Sequence, residues 1–291
     1  MHSFLRTVGY SEVVHENEAQ DLIARTISNA QECEKYIRED KTGMVEFSRL
    51  ITSMCGIKVF GEEDSEGHFH MTGYMPYCNG FDNTENKEED IYINKQVNGE
   101  GYTGMCDDSR LGISLIFGIN NPVTYFEKYG GAKCISDKAV TITALGQAGK
   151  IILPTLVRSE NEEKFKQDIN KKNKLIAEAK KGNQEAIENL TIEDIDRYAM
   201  VSQRIKNEDI LSIVDTSLVP YGSESDMYVL TGIIDTLLPE ENRDTGEKVW
   251  QMIVHCNEIP MTVIINDKDM IGEPKVGRRF RGNVWLQGRL S

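Results

Sequence analysis

The C-terminal third of the chain constrains the fold most. From 210 to 291 it runs through five short apolar segments and ends in the glycine-punctuated GRRFRGNVWLQGRL of Gly277 to Leu290. The segments lie near Leu211 to Val219, Tyr228 to Leu237, Lys248 to Cys256, Met261 to Ile265 and Phe280 to Leu290. In the last of them Phe280, Val284, Leu286 and Leu290 share one parity, and alternate residues of a strand share a face. NRDTGE, Asn242 to Glu247, supplies a hairpin loop with Gly246 where a positive φ is needed.

Five strands, with an irregular excursion from Asp267 to Pro274 before the last, suit a partly open five-stranded barrel of the oligonucleotide/oligosaccharide-binding (OB) type. A chain of 291 residues is long for one core and suits two domains. The expected fold class is α+β: a mixed-sheet domain with few helices over 1–158, a helical connector over 159–209, and the OB-like barrel over 210–291.

In the first part, Ala19, Leu22, Ile23 and Ile27 recur at helical spacing and predict a helix over Glu16 to Asn29. GIKVF and HFHMTGYMPY flank the turn-forming EEDSEG, Glu62 to Gly67, and predict a β-hairpin. The acidic FDNTENKEED, Phe81 to Asp90, reads as a solvated loop before the alternating IYINKQV. LGISLIFGI, Leu111 to Ile119, is apolar on both parities and reads as a central strand covered on both faces. Pro122 suits the first turn of a helix reaching Tyr129, and AVTITAL and KIILPTLV read as two more strands. In the connector, Ser159 and Glu162 form a capping box, Gly182 ends the helix, and Phe165, Ile169 and Ile176 leave a narrow apolar stripe. A second helix is expected after Thr191.

The net charge of −14 repels phosphate backbones and anionic lipid, so binding to either has to rest on a local basic patch. No apolar run approaches the roughly 20 residues of a membrane-spanning helix. MHSFLRTVGYSEV lacks the apolar core of a secretory signal, so the chain reads as soluble and cytoplasmic, without membrane contact. Six cysteines without a C-x-x-C pair fit reduced thiols better than a disulfide framework or a zinc site.

Several motifs spell chemistry that their context does not support. GEGYTG, Gly99 to Gly104, has dinucleotide-loop spacing, yet a strand rather than a helix N-terminus follows it. Asp244-Thr245-Gly246 spells an aspartic-protease loop inside a hairpin tip, and reads as a turn. His68 and His70 share a strand face near Cys78, which reads as a polar hairpin rather than a metal site. His255 and Cys256 face opposite ways on one strand and form no nucleophile-base pair. Lys171, Lys172, Lys174, Lys180 and Lys181 read as a solvated helix face. The strongest binding candidates are Arg278, Arg279, Arg281, Trp285 and Gln287, with Lys275 beside them. Guanidinium groups around an exposed aromatic are how barrels hold a single nucleic-acid strand. Their alternation also fits an exposed outer wall.

MHSFLRTVGYSEV, SRLGISLIFGINN and VGRRFRGNVWLQGRL together resemble a bacterial family of this length that carries a domain-of-unknown-function label. The resemblance covers essentially the whole chain, implies an intracellular bacterial protein, and supplies no catalytic or ligand residues.

The residues thus read as a non-enzymatic cytosolic protein acting through protein contacts, with another protein or in a homodimer. Single-stranded nucleic-acid binding by the barrel and an enzyme with a cleft between domains are the alternatives. No catalytic, metal-ligating or cofactor-binding set is assigned.

Overall fold

The computed structural model describes residues 2–81, 85–96, 101–108, 113–153, 178, 183–192, 214–222, 226–257 and 259–291. Met1–Ile152 and Thr216–Ser291 make one compact unit, and Leu153–Asp215 a second. In the second unit residues 184–192 are helical. Asn183 starts this helix, its side-chain oxygen accepting from the amides of Glu185 and Ala186 at 3.1 and 3.4 Å. Thr191, expected to precede a helix, lies inside this one and donates its hydroxyl to the Ile187 carbonyl. The expected connector residues Ser159, Glu162, Phe165, Ile169, Ile176 and Gly182, and the lysines from Lys171 to Lys181, lie outside the described residues.

The larger unit opens with a 3-10 turn, Arg6–Val8, and then α1 (Glu16–Ser28), which buries Ala19, Leu22 and Ile23 as predicted. Glu18 turns back to accept the amides of His15, the N-cap residue, and of Val14 before it. Four antiparallel strands follow in sequence order, β1 (Glu32–Ile37), β2 (Gly43–Leu50), β3 (Cys55–Glu63) and β4 (Phe69–Cys78). The predicted hairpin is β3–β4.

The remaining elements are β5 (Glu85–Lys95), β6 (Tyr102–Asp108), β7 (Ile113–Ile119), α2 (Pro122–Tyr129), β8 (Cys134–Ile152), β9 (Ser217–Pro220), β10 (Met227–Glu241), β11 (Lys248–Cys256), β12 (Ile259–Asn266), β13 (Met270–Ile271) and β14 (Arg279–Leu290). Their ten strands form one sheet that closes on itself twice. The first ring runs β8-β14-β10-β11-β12 and returns to β8, with β12 parallel to β8 and every other contact antiparallel. The second runs β8-β5-β6-β7-β14 and returns to β8, with β7 parallel to β14 as its single parallel contact. The two rings share the β8–β14 pair.

This pairing scheme repeats itself. A three-strand meander followed by a long strand occurs as β5-β6-β7-β8 and again as β10-β11-β12-β14. Each long strand pairs antiparallel with the first strand of its own meander and parallel with the third strand of the other. Thr262 lies opposite Thr143 and Gly118 opposite Gln287, while Thr143 and Gln287 face each other at the centre.

The expected C-terminal barrel is therefore present, but it is closed rather than partly open. Its closing strand, β8, comes from ahead of 210 rather than from the last third. Strands on both sides of the intervening segment thus share one sheet. Closing a long loop costs little more than closing a short one, so sequence separation is a weak barrier to such pairing.

Three local expectations are corrected. AVTITAL and the start of KIILPTLV are one strand, bent but not broken where Ala148 takes φ 52° opposite the Arg281/Asn283 register shift. The stretch expected as a solvated loop already contains β5 from Glu85, because pairing with β8 outweighs the low strand propensity of Asn and Glu. β7 is not covered on both faces throughout: Leu115, Phe117 and Ile119 are buried, Ser114 is exposed and Ile116 half-buried.

Two apolar clusters hold the unit together. Ile91, Phe117, Ile142, Leu230, Met252, Phe280 and Leu286 belong to the larger, which spans the strands of both rings. The second joins Phe4, Leu5, Val8, Leu22, Ile51 and Ile57 to Leu145, Val249, Ile264 and Trp285. The N-terminal segment and the first sheet thus pack onto the outside of the first ring.

Candidate functional site

That packing decides the fate of the residues on β14. Met227, Trp285, Leu145 and Ile264 are successive cross-strand partners on β10, β14, β8 and β12, and all four are buried. Trp285 lies against the rings of His2 and Phe4, with centroids 5.0 and 5.4 Å away, and donates its indole N–H to Asp226 at 2.8 Å. Gln287 is fully buried; its Oε1 accepts the Cys78 amide at 3.2 Å and its Nε2 donates to the Pro76 carbonyl at 2.8 Å. Arg279 is buried as well. The outer wall expected to be exposed is an interface between layers. Periodicity shows that a strand has two faces; it does not show that a second layer covers one of them.

The other basic residues are placed elsewhere. Lys275 pairs with the Glu273 carboxylate at 2.8 Å, and Arg278 donates to the Glu273 carbonyl at 3.1 Å. Arg281, half-buried, stands opposite Lys150 on β8 and Thr231 on β10. A stacking platform needs an exposed ring, and Trp285 does not present one.

The motifs resolve as structure. Gly246 has φ 72° and Asp244-Thr245-Gly246 is a turn that receives the N-terminal segment: Tyr10 donates to Asp244 at 2.6 Å and Thr245 to the Gly9 carbonyl at 2.7 Å. Gly101 accepts the Gln96 amide at 2.9 Å at the β5–β6 hairpin, and Gly104 lies within β6, so no helix N-terminus follows the GEGYTG run. Gly99 and Glu100 lie outside the described residues. His68 and His70 both approach Asp64 Oδ2 at 3.3 Å, while Cys78 is buried at the far end of β4. Asp64 is bound into its own loop, and hydrogen bonds led by the His68 amide hold its carboxyl far below the usual range. Among the described residues no group of three His, Cys, Asp or Glu is placed to hold a metal ion.

Two arrangements look chemical and are electrostatically unsuited to it. Lys268 donates to Ser11 Oγ at 2.7 Å, as a serine-lysine dyad would. Its ammonium also bonds Glu247 at 3.0 Å, which raises its pKa and keeps the proton that a general base would have to shed. Burial pushes the thiols of Cys55 and Cys256 up to about 12, away from the thiolate a nucleophile requires. His255 Nε2 lies 3.9 Å from Asp235, and Cys256 faces the core.

The second ring carries a connected row of exposed and half-exposed side chains on its outer face. Cys134 on β8, Tyr92 on β5, Met105 on β6 and Ile116 on β7 are successive cross-strand partners, so they form one row on the outer face. Tyr92 is 45% exposed and Met105 37%, Cys134 is exposed and Ile116 half-buried. Asp90 and Asp107, two positions along from Tyr92 and Met105, are exposed on the same face. Charge at Cys134, Asp90 and Asp107 raises the pKa of the Tyr92 phenol, so the two carboxylates act on the row.

The family model described as "Domain of unknown function, E. rectale Gene description (DUF3881)" matches residues 5–288. The chain belongs to that family. No curated protein and no solved structure matches it. Membership thus confirms the resemblance seen in the sequence and assigns no residue a role. In this member of the family the sequence reading passed over the row because it picked out basic residues. The usable signal was the alternation of IYINKQV, which sends Ile91 and Ile93 inward and Tyr92 out. No helix among the described residues is long and apolar enough to cross a membrane.

Proposed function

We propose that this is a cytoplasmic, non-enzymatic binding protein whose outer β5–β8 face takes a protein partner that presents a basic side chain beside an apolar one. The row of Cys134, Tyr92, Met105 and Ile116 across four hydrogen-bonded strands carries the reading. Aromatic and Met side chains are enriched where proteins meet, and a rigid sheet presents them without an ordering cost. Asp90 and Asp107 favour a cationic partner, and the net charge of −14 disfavours both nucleic acid and a second copy of this chain. Six free cysteines suit a reducing compartment.

The test is affinity capture with the full chain, its Tyr92→Asp variant and its Met105→Asp variant, quantified by mass spectrometry. Surface substitutions of this kind change stability by about 0.5 kcal/mol or less, so thermal midpoints should coincide. A polypeptide retained by the parent chain and lost about tenfold with either variant is the expected result. Identical recoveries from all three, or a light-scattering mass of a dimer that both variants leave intact, would overturn the proposal.

A further inference from the structure

We propose that Cys55 and Cys78 form an oxidisable dithiol that closes to a cross-strand disulfide between β3 and β4. Of the six cysteines, these two are each other's partner; Cys33 faces Phe47, Cys106 faces Leu115, Cys134 faces Tyr92 and Cys256 faces Ile259.

The register brings them close. Asn79 donates its amide to the Met54 carbonyl at 2.9 Å, so the neighbouring pair occupies a hydrogen-bonded position and the cysteines a non-hydrogen-bonded one. Their backbone groups bear this out by pointing away from each other. The Cys78 amide goes to Gln287, and its carbonyl accepts from Asn120 at 3.0 Å. The Cys55 amide goes to Thr52, and its carbonyl accepts from the amides of Ile51 and Thr52. In such pairs the Cα atoms stand about 4.5 Å apart, inside the roughly 4.4–6.8 Å range that a disulfide spans.

Each sulfur also has a polar neighbour. Thr52 Oγ1 lies 3.0 Å from Cys55 Sγ, and the Gly80 amide donates to Cys78 Sγ at 3.3 Å. These contacts stabilise negative charge on sulfur as it develops. Burial opposes them, keeping both thiols neutral and out of reach of bulky oxidants. Reaction is therefore slow, and it proceeds with a small oxidant when β4, an edge strand that among the described residues pairs with β3 alone, opens.

With hydrogen peroxide the step balances. One sulfur attacks a peroxide oxygen, the O–O bond breaks, and the departing hydroxide takes the thiol proton, leaving a sulfenic acid and water. The second sulfur attacks the first, the S–S bond forms, the S–O bond breaks, and the hydroxide leaves with the second proton as water. Each sulfur loses one electron and the peroxide gains two.

The experiment uses the full chain. The exposed Cys33 and Cys134 are first alkylated under native conditions, peroxide is added over hours, and free thiols are then counted with a second alkylating reagent after denaturation. A mass loss of about 2 Da with a peptide linking Cys55 to Cys78 is expected, and Cys55→Ser should abolish it. A link between other cysteines, oxygen additions without a link, or both residues taking the second reagent would overturn the proposal. Should Cys55→Ser not fold, the linked peptide in the parent chain decides alone.

Discussion

Arg49 holds Asp244 through both terminal guanidinium nitrogens, at 2.8 and 2.5 Å, and thereby fixes the β10–β11 hairpin to the first sheet. Tyr10 completes the arrangement by donating its phenol to the same carboxylate. The Arg49 hydrogen bonds hold the Asp244 carboxyl below its ordinary value of 3.8. Because the folded value is the lower, the stabilisation is present above 3.8 and is lost as pH falls through the folded value. Asp244→Ala should destabilise by about 1–3 kcal/mol at neutral pH, since Arg49 and Tyr10 both lose their partner. Urea titrations at pH 7 and pH 3 check this: the difference between parent and variant should shrink at pH 3.

His2 gives a second pH dependence at higher values. Burial, with a smaller contribution from the nearby N-terminal ammonium, pushes its imidazole from 6.5 down to about 4. Between those values the unfolded chain binds a proton that the folded chain does not, so stability falls as pH drops through that window. The loss should be on the order of 1–2 kcal/mol at pH 5, and it should vanish in His2→Leu. Denaturant midpoints at pH 7 and 5 read it directly.

Dependence of the C-terminal barrel on β8 predicts that residues 214–291 expressed alone lack a cooperative fold. Without β8 the ring is open between β12 and β14, and two strand edges lose their partners. Appending residues 134–152 after 291 through a flexible linker should restore protease resistance and a sigmoidal melt. A stable, cooperatively melting 214–291 fragment would contradict the shared-strand architecture.

Lys58 and Glu46 form a buried ion pair, and the Lys58 ammonium also donates to the Asn120 carbonyl at 2.8 Å. Lys58→Met strands a carboxylate that burial already disfavours, pushing its pKa up further. The expected cost is about 3–5 kcal/mol. The double variant Glu46→Gln with Lys58→Met should recover most of it, as calorimetric midpoints would show.

Much of the local structure was legible in the sequence. The 3.6-residue recurrence of Ala19, Leu22 and Ile23 and the limits of β11 follow from periodicity and turn residues that act over a few positions. The burial of Arg279, Trp285 and Gln287 was not legible for a related reason. Alternation correctly separated Phe280 and Leu286 from Trp285 and Gln287, yet both sets are buried. Glutamine on a strand looks solvated until a second backbone, here that of Pro76 and Cys78, supplies its hydrogen bonds.

By itself, then, the sequence determined α1, α2, the β3–β4 hairpin, the strand segments of the last third, and the family, because these rest on short-range spacing and on residue identity. Tertiary structure alone decided that β8 closes the C-terminal ring, that two rings share one strand pair, and which faces stay exposed. Those outcomes depend on backbone pairing between segments far apart in the chain, and backbone hydrogen bonds carry almost no side-chain signature.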